Sequence, residues 1–174
     1  PKLGISPRAL MKRVYESAVS YARTFSTASE SLLFMGATGL GKTLLSGCIA
    51  RAVADRGYSV CYVSAGKLFS DFETEKFRLK EDGALTGEYM ETDLLIIDDL
   101  GTEMTTQFTV SALYQIVNGR LLSGKPTIVS TNLPDTELEA RYSAQIASRL
   151  LGTYTLYQFC GTDVRLLRKM ESRG

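Results

Sequence analysis

Short apolar runs alternate with longer segments of helical periodicity along most of the chain. The segments between these runs are long enough to hold crossover helices, and strands joined in that way run parallel. The pattern therefore predicts an α/β fold of three layers, α/β/α, with a five-stranded parallel sheet at the centre. The predicted strands are Ser31–Gly36, Tyr58–Val63, Leu94–Asp98, Thr127–Thr131 and Thr155–Phe159.

The helices are predicted from apolar spacing and from end signals. Ser6 and Pro7 form a helix start, with Ser6 as the N-cap of a helix over Ala9–Phe25. The polar stretch Glu81–Glu91 is predicted to be a loop. Further helices are predicted over Lys42–Arg56, Gly66–Leu79, Thr105–Leu122 and Tyr142–Leu151, with a short one opening at Leu133-Pro134.

Composition limits the classes of protein to consider. The 174 residues are 44% hydrophobic, which is enough for one substantial core, so we treat 1–174 as a single domain. Within it, 1–30 is a leading helix with a connector and 31–174 is the core. Twenty basic and 19 acidic residues leave a net charge of +1, so any contact with nucleic acid must be local. The lack of histidine excludes Ser-His and Cys-His catalysis.

Several features predict a cytoplasmic protein without membrane contact. The three cysteines, Cys48, Cys61 and Cys160, lack paired spacing, as is typical of a reducing compartment. No apolar run approaches the length that spans a membrane, and no secretory leader opens the chain. Because the chain begins at Pro1 rather than at an initiator Met, we expect it to be a fragment of a longer protein.

One glycine-rich segment carries a complete phosphate-binding motif. Residues 36–43, GATGLGKT, match G-x-x-x-x-G-K-[ST] and lie between a predicted strand and a predicted helix. In such a loop, backbone N–H groups and the helix N-terminus bind phosphates, the lysine reaches the β- and γ-phosphates, and the hydroxyl holds Mg²⁺. The sequence therefore predicts a nucleoside triphosphate site built from Gly36, Ala37, Thr38, Gly39, Leu40, Gly41, Lys42, Thr43 and Leu44.

Polar side chains follow two other predicted strands. The run Leu94–Ile97 ends in Asp98 and Asp99, a Walker B pattern. We expect Asp98 to bind Mg²⁺ through water and Asp99 to orient or deprotonate the attacking water. Asn132 closes the next strand, where its amide could contact the γ-phosphate or that water, as at a sensor 1 position; an Asn-Leu-Pro turn is the alternative.

With these motifs, nearly the whole chain resembles the AAA+ ATPase domain of bacterial replicative helicase loaders, the DnaC/DnaI type. The resemblance implies ATP and Mg²⁺ as cofactors, nucleotide-dependent homo-oligomers, single-stranded DNA binding and a replicative helicase as partner. In that family a separate N-terminal region grips the helicase, and we expect it to be missing here. The resemblance is carried by GATGLGKT (36–43), LLIIDDLGTE (94–103), STNLP (130–134), YSAQIASRL (142–150) and GTDVR (161–165).

The resemblance also implies roles for two arginines. Arg149 matches the arginine finger that a neighbouring subunit supplies, although Arg141 lies nearby in the sequence, and Arg165 matches the sensor 2 arginine. The predicted catalytic set is thus Lys42, Asp99, Asn132, Arg149 and Arg165. The usual second Walker B acid is Glu, and the shorter Asp99 withdraws the carboxylate by about 1.5 Å, which predicts slow hydrolysis. The sequence ends soon after Arg165, so we expect little or no C-terminal lid.

The helix predicted from Gly66 matches the extra helix of replication loaders and initiators. Its place in that family suggests a hypothesis in which Leu68, Phe69 and Phe72 face a DNA channel together with Lys67 and Lys76.

Three alternatives remain open from the sequence. The IstB type of transposition helper ATPase shares the loop, the acidic strand end and the C-terminal arginine, and would act on duplex DNA and a transposase. A small-molecule kinase could use the same loop, although no second pocket signature or arginine-rich lid is visible. The third alternative is a module that binds nucleotide and scarcely hydrolyses it.

Overall fold

The computed structural model describes residues 6–78 and 84–163. Its elements are α1 (Pro7–Thr24), β1 (Leu32–Met35), α2 (Lys42–Ala54), β2 (Val60–Ser64), α3 (Ala65–Arg78), α4 (Ala84–Glu91), β3 (Leu94–Leu100), α5 (Gln107–Leu122), β4 (Thr127–Thr131), α6 (Asp135–Tyr142), α7 (Ala144–Thr153) and β5 (Thr155–Gln158).

All five strands belong to one parallel sheet, which confirms the predicted α/β fold. The strand order is β2-β3-β4-β1-β5, so β1 lies between β4 and β5 and each of its residues has a partner on both sides. Successive side chains of a strand point to opposite faces. Leu32 and Phe34 accordingly join one apolar core, while Leu33 and Met35 join the other.

The two cores define the three layers. On one face of the sheet, α1 and α2 pack over the strands, and Phe25 at the end of α1 is 1% exposed. Arg56 fixes this end by donating to the carbonyls of Ala22 and Phe25, each over 3.0 Å. The leading helix is therefore an integral part of this layer. Ser6 caps α1 as predicted, accepting a hydrogen bond from the backbone N–H of Ala9.

The prediction that Glu81–Glu91 is a loop is wrong, since α4 occupies Ala84–Glu91. Its sequence has little helical periodicity, and tertiary contacts stabilise it. Tyr89 is 5% exposed in the core of the opposite face, and Arg120 of α5 donates to the carbonyls of Tyr89 and Met90. These carbonyls belong to the last turn of the helix, where no backbone donor is available.

The prediction that Leu68, Phe69 and Phe72 of α3 face a DNA channel is also wrong. Leu68, Phe69 and Phe72 are buried in the core between α3 and the sheet, at 0%, 4% and 8% exposure. Lys67 forms an ion pair with Asp71 of the same helix. These three apolar side chains of α3 thus build the core of the domain.

One predicted helix over Tyr142–Leu151 is divided differently in the structure. Tyr142 is the last residue of α6, and Ser143, with φ of 100°, separates α6 from α7. Tyr142 is fully buried and donates to the Glu103 carboxylate in the loop after β3. Within the described ranges, no helix is long and apolar enough to cross a bilayer.

Candidate nucleotide-binding site

The glycine-rich loop joins β1 to α2 at the carboxyl edge of the sheet. Gly36, Gly39 and Gly41 have φ values of 151°, 81° and 93°, in the range that other residues rarely adopt. A Cβ at Gly36 would also lie 2.5 Å from the carbonyl oxygen of Phe159. The loop then turns directly into the N-terminus of α2 at Lys42, where the backbone N–H groups of the first turn are available to an anion.

Lys42 lies inside this loop with a side chain that is 6% exposed. Its ammonium donates to the carbonyls of Gly36 and Ala37, the second over 2.8 Å, and to Oδ1 of Asn132 over 2.6 Å. The loop thereby holds a positive charge at the centre of its own curve, where phosphate groups would bind.

Asp98 is a buried carboxylate surrounded by hydroxyl donors. Thr43 donates to Oδ1 over 3.3 Å, Ser130 donates to the same oxygen, and Tyr62 donates to Oδ2 over 2.8 Å. The residue is 7% exposed, and each donor comes from a different element: α2, β4 and β2. This arrangement fixes the carboxylate beside the Thr43 hydroxyl.

A backbone irregularity at Asp99 gives its side chain a different direction from that of Asp98. The pairing of β3 with β4 shifts register between Ile97 and Leu100, and Asp99 has φ of 61°. Aspartate tolerates this left-handed conformation better than most residues. Its N–H donates to Ser130 Oγ over 2.9 Å, and its carboxylate accepts from Nδ2 of Asn132 over 3.1 Å.

Asn132 therefore joins two of the predicted catalytic residues. Its carbonyl oxygen accepts from Lys42, and its amide nitrogen donates to Asp99. An amide can satisfy both contacts in only one orientation. The structure thus brings the loop lysine, the strand-end amide and the second acid into one connected network.

The loop after β3 is fixed by further contacts. Gly101 has φ of 106°, and a Cβ there would lie 2.6 Å from Leu133. Arg141 of α6 donates to the carbonyl of Gly101. These contacts hold the backbone just beyond Asp99.

Arg149 lies apart from this network in the described part of the chain. Its guanidinium packs over the ring of Tyr114, with 4.8 Å to the ring centroid, and Nε donates to Oδ1 of Asn118 over 2.8 Å. Both partners lie on α5. Leu44 belongs to the first turn of α2, and its side chain is 71% exposed. Arg165 lies outside the described residues, and so does the end of the chain to which the expectation of little or no lid refers.

Three residues at the site were not assigned by sequence reasoning. Tyr62 and Ser130 donate to Asp98, and the Asp163 carboxylate lies so close to Gly39 that a Cβ there would be within 2.2 Å of it. The register Tyr62↔Ile96 places Tyr62 on the same face as Asp98, two residues further along β3. That signal appears only once the strands are paired.

The Tyr62 hydroxyl stays protonated and can therefore donate its hydrogen bond at neutral pH. Burial and the hydrogen bond to Asp98 raise the pKa of Tyr62 well above its ordinary value of 10.0. The hydroxyl therefore keeps its proton at neutral pH.

The donor set fits a magnesium ion shared with a nucleotide. In the described ranges, no group of three or more His, Cys, Asp or Glu side chains could hold a metal ion alone. Mg²⁺ is usually held by one or two protein oxygens together with substrate phosphates. Thr43 Oγ1 and the Asp98 carboxylate, 3.3 Å apart, are oxygens of that kind beside a phosphate-binding loop.

An open pocket of about 420 Å³ borders the same network. Gly36, Ala37 and Asn132 form one side of it, and Leu151 and Leu156 contribute apolar surface on the other. The site is thus a cleft along the carboxyl ends of the strands, where ligands of open α/β sheets bind.

A parallel sheet in the order β2-β3-β4-β1-β5, with the glycine-rich phosphate-binding loop after β1 and two acids at the end of β3, is the arrangement of a P-loop nucleotide-binding domain. The model of the family described as IstB-like ATP binding protein matches residues 10–158. The chain belongs to this family of ATP-binding proteins.

Two curated relatives illustrate the range of that similarity. An ATP-binding protein in an insertion sequence of Mycobacterium tuberculosis is 30% identical over 105 residues, which cover 60% of this chain and 41% of that protein. The replicative helicase loader DnaC of Escherichia coli K12 is 27% identical over 135 residues, which cover 76% of this chain and 55% of the loader. The chain thus spans about half the length of these relatives.

The fold is also that of a solved helicase loader. The crystal structure of the DnaC helicase loader superposes with a TM-score of 0.79 at 19% identity, covering 87% of this chain and 90% of that one. At this identity the likeness concerns the fold.

Proposed function

We propose that the domain binds ATP with Mg²⁺ and hydrolyses it slowly. The observation that carries the proposal is the connected network of Lys42, Asn132 and Asp99 beside the Thr43–Asp98 pair. These groups supply a cation for the β- and γ-phosphates, two oxygens for Mg²⁺ and a carboxylate for a water, which together are the parts that phosphoryl transfer to water requires.

Each group has a defined task in this proposal. The loop N–H groups and the α2 N-terminus bind the phosphates, and Lys42 exchanges its loop carbonyl partners for phosphate oxygens. Thr43 and Asp98 hold Mg²⁺, which neutralises charge on the phosphates. Asp99 orients the attacking water, and Asn132 holds Asp99 in place.

Slow turnover follows from the reach of Asp99. Its backbone is fixed by Ser130 and its carboxylate by Asn132, so the shorter side chain gains no compensating freedom. A displacement of the carboxylate by about one bond length is enough to slow the attack of the positioned water substantially.

We further propose that the ATPase acts on DNA replication, as part of a protein that loads the replicative helicase onto single-stranded DNA. Support comes from the similarity to the helicase loader over 76% of this chain and from the shared fold. The helicase would bind through a region outside this chain, and ATP would favour a homo-oligomer.

Arg149 would complete the site of a neighbouring subunit in that assembly. In support, α5 holds its guanidinium at a place separate from the network of its own chain. A mixing test examines this role. Lys42→Ala subunits supplied in excess should restore turnover to Arg149→Ala subunits, and failure of that rescue would contradict a role between subunits.

The second candidate is a helper ATPase of transposition, acting on duplex DNA with a transposase. The family match over residues 10–158 and the 30% identity to an insertion-sequence protein favour it specifically. Nothing in the site distinguishes the two candidates, because both use the same ATP chemistry. Family membership gives the small-molecule kinase no comparable support.

The decisive experiment measures ATP turnover per subunit over a range of protein concentrations, with single-stranded DNA, with duplex DNA and without DNA. A loader is expected to turn over faster at higher concentration and with single-stranded DNA. Preferential stimulation by duplex DNA would favour the transposition helper. Turnover that is indifferent to both DNA forms and to concentration would overturn both roles.

A further inference from the structure

The candidate magnesium ligand Asp98 is held by a residue that the phosphate-loop motif does not include. Tyr62 lies on β2, the edge strand of the sheet, and its hydroxyl donates to Oδ2 of Asp98 over 2.8 Å. The other carboxylate oxygen, Oδ1, accepts from Thr43 and Ser130. The two oxygens of one carboxylate thus have separate sets of partners.

We propose that Tyr62 is a positioning residue for magnesium: its hydroxyl fixes the rotation of the Asp98 carboxylate so that Oδ1 stays directed at Thr43. This inference rests on the proposed function, since it concerns the metal of the same ATP site. Tyr62 itself touches neither nucleotide nor metal in the proposal.

The contacts of Asp98 explain why a positioning residue is needed. The χ2 torsion of an aspartate is broad and roughly two-fold, so one-sided contacts leave the carboxylate free to rotate. The Thr43 contact is long, at 3.3 Å, and Ser130 Oγ also accepts from the N–H of Asp99. Tyr62 is the donor on Oδ2, and its removal releases that side of the carboxylate.

The hydroxyl of Tyr62 can be removed without disturbing the core. Tyr62 is 40% exposed, and β2 is the edge strand of the sheet in the described part of the chain. Tyr62→Phe keeps the ring and deletes a single donor. Partners that orient a metal ligand typically change metal affinity by about tenfold or more when they are lost.

The test measures binding of a non-hydrolysable ATP analogue to the full chain at increasing Mg²⁺ concentration. Tyr62→Phe is expected to raise the half-saturating Mg²⁺ concentration by about tenfold and to leave analogue binding without Mg²⁺ unchanged. Tyr21→Phe is the matched control, because Tyr21 is a buried tyrosine of α1 that loses a hydrogen bond of 2.9 Å to the carbonyl of Glu30, away from the site.

A double-mutant cycle with Asp98→Asn separates positioning from a general loss of stability. If Tyr62 acts through Asp98, adding Tyr62→Phe to Asp98→Asn produces no further change in Mg²⁺ dependence. A further change of similar size would overturn the proposal, as would an equal effect in Tyr21→Phe.

The failure of this inference can be told from the failure of the proposed function. A wild-type chain that binds the analogue in a Mg²⁺-dependent way, with Tyr62→Phe showing the same dependence, overturns the role of Tyr62 alone. A wild-type chain whose binding ignores Mg²⁺ overturns both.

Discussion

At the scale of single residues, the two neighbouring aspartates differ because the backbone turns between them. Asp98 continues β3 and faces Thr43, whereas Asp99, with φ of 61°, faces Asn132. In a regular strand the side chains of two adjacent aspartates would point to opposite faces of the sheet. Here the pairing of β3 with β4 shifts register, and the Asp99 carboxylate lies at the carboxyl end of the strand. Two adjacent acids can therefore serve the metal and the water separately.

Replacement of Asp99 by asparagine tests this division. Asp99→Asn keeps the size of the side chain and removes its charge, so ATP turnover should fall by about a hundredfold, as for a lost general base. Binding of ATP should remain. Asp55→Asn is the control, since Asp55 lies on the surface in an exposed ion pair with Arg51. Equal turnover in Asp99→Asn and wild type would contradict the role of Asp99 in activating water.

Most residues of the candidate site could be predicted from sequence because they follow a motif or end a strand. Lys42, Thr43, Asp98, Asp99 and Asn132 meet at the carboxyl edge of the sheet as expected. Tyr62 could not be predicted, since its contact with Asp98 depends on the register of β2 against β3, and single strands carry no such information. Arg149 carries no local signal that identifies its partners on α5.

At the scale of elements, one buried arginine connects α4, α5 and β4. Arg120 is fully buried and donates to Thr127 Oγ1 over 2.8 Å and to the carbonyls of Tyr89, Thr92 and Pro126. Burial lowers the pKa of Arg120 to about 10. The guanidinium satisfies the carbonyls of Tyr89 and Met90 in the last turn of α4 and that of Thr92 just beyond it, which explains how α4 forms where the sequence indicates a loop.

Replacement of Arg120 by methionine should therefore destabilise the fold strongly. Methionine fills the space of the stem but removes the guanidinium that donates to Thr127 Oγ1 and to the carbonyls of Tyr89 and Thr92. The expected loss is about 3 kcal/mol or more in the free energy of unfolding. Urea unfolding measures this loss. The exposed Arg51→Ala of α2 should change it by less than about 0.5 kcal/mol. An equally small effect of Arg120→Met would show that the carbonyls find other partners.

The predicted helix boundaries were wrong where a single backbone turn separates two helices. Ser143 divides α6 from α7 with φ of 100°, and neither glycine nor proline marks the position. The burial of Tyr142 and its contact with Glu103 hold this turn. By contrast, the strands were found because each is a short apolar run. Two of them, β1 and β4, are buried at every position, and β3 is buried at all but one.

At the scale of the whole molecule, buried tyrosines make stability depend on alkaline pH. Burial is the main reason that the pKa of Tyr154 is raised to about 12. Burial also raises the pKa values of Tyr21, Tyr89 and Tyr142, and by more. Above the ordinary value of 10.0, the unfolded chain releases protons that the folded state retains, so the free energy of unfolding falls as pH rises. Arg120, whose pKa is lowered, acts in the opposite direction, but it is one group. Tyr62 and Tyr157, whose pKa values are also raised, act in the same direction as the four buried tyrosines named above.

The urea midpoint should accordingly be lower at about pH 10.5 than at about pH 8. Substitution of Tyr21 by phenylalanine should reduce the difference between the two midpoints. A midpoint that rises with pH over this range would contradict the predicted protonation of the buried tyrosines.

The most direct test of the account is calorimetric titration of the wild-type chain with ATP and Mg²⁺, compared with Lys42→Ala. We predict saturable binding of one nucleotide per chain, weakened by about tenfold or more in Lys42→Ala. Binding should be unchanged in Lys12→Ala, whose side chain is 75% exposed on α1. The absence of binding to the wild type, or equal binding to Lys42→Ala, would contradict the assignment of this loop as the ATP site.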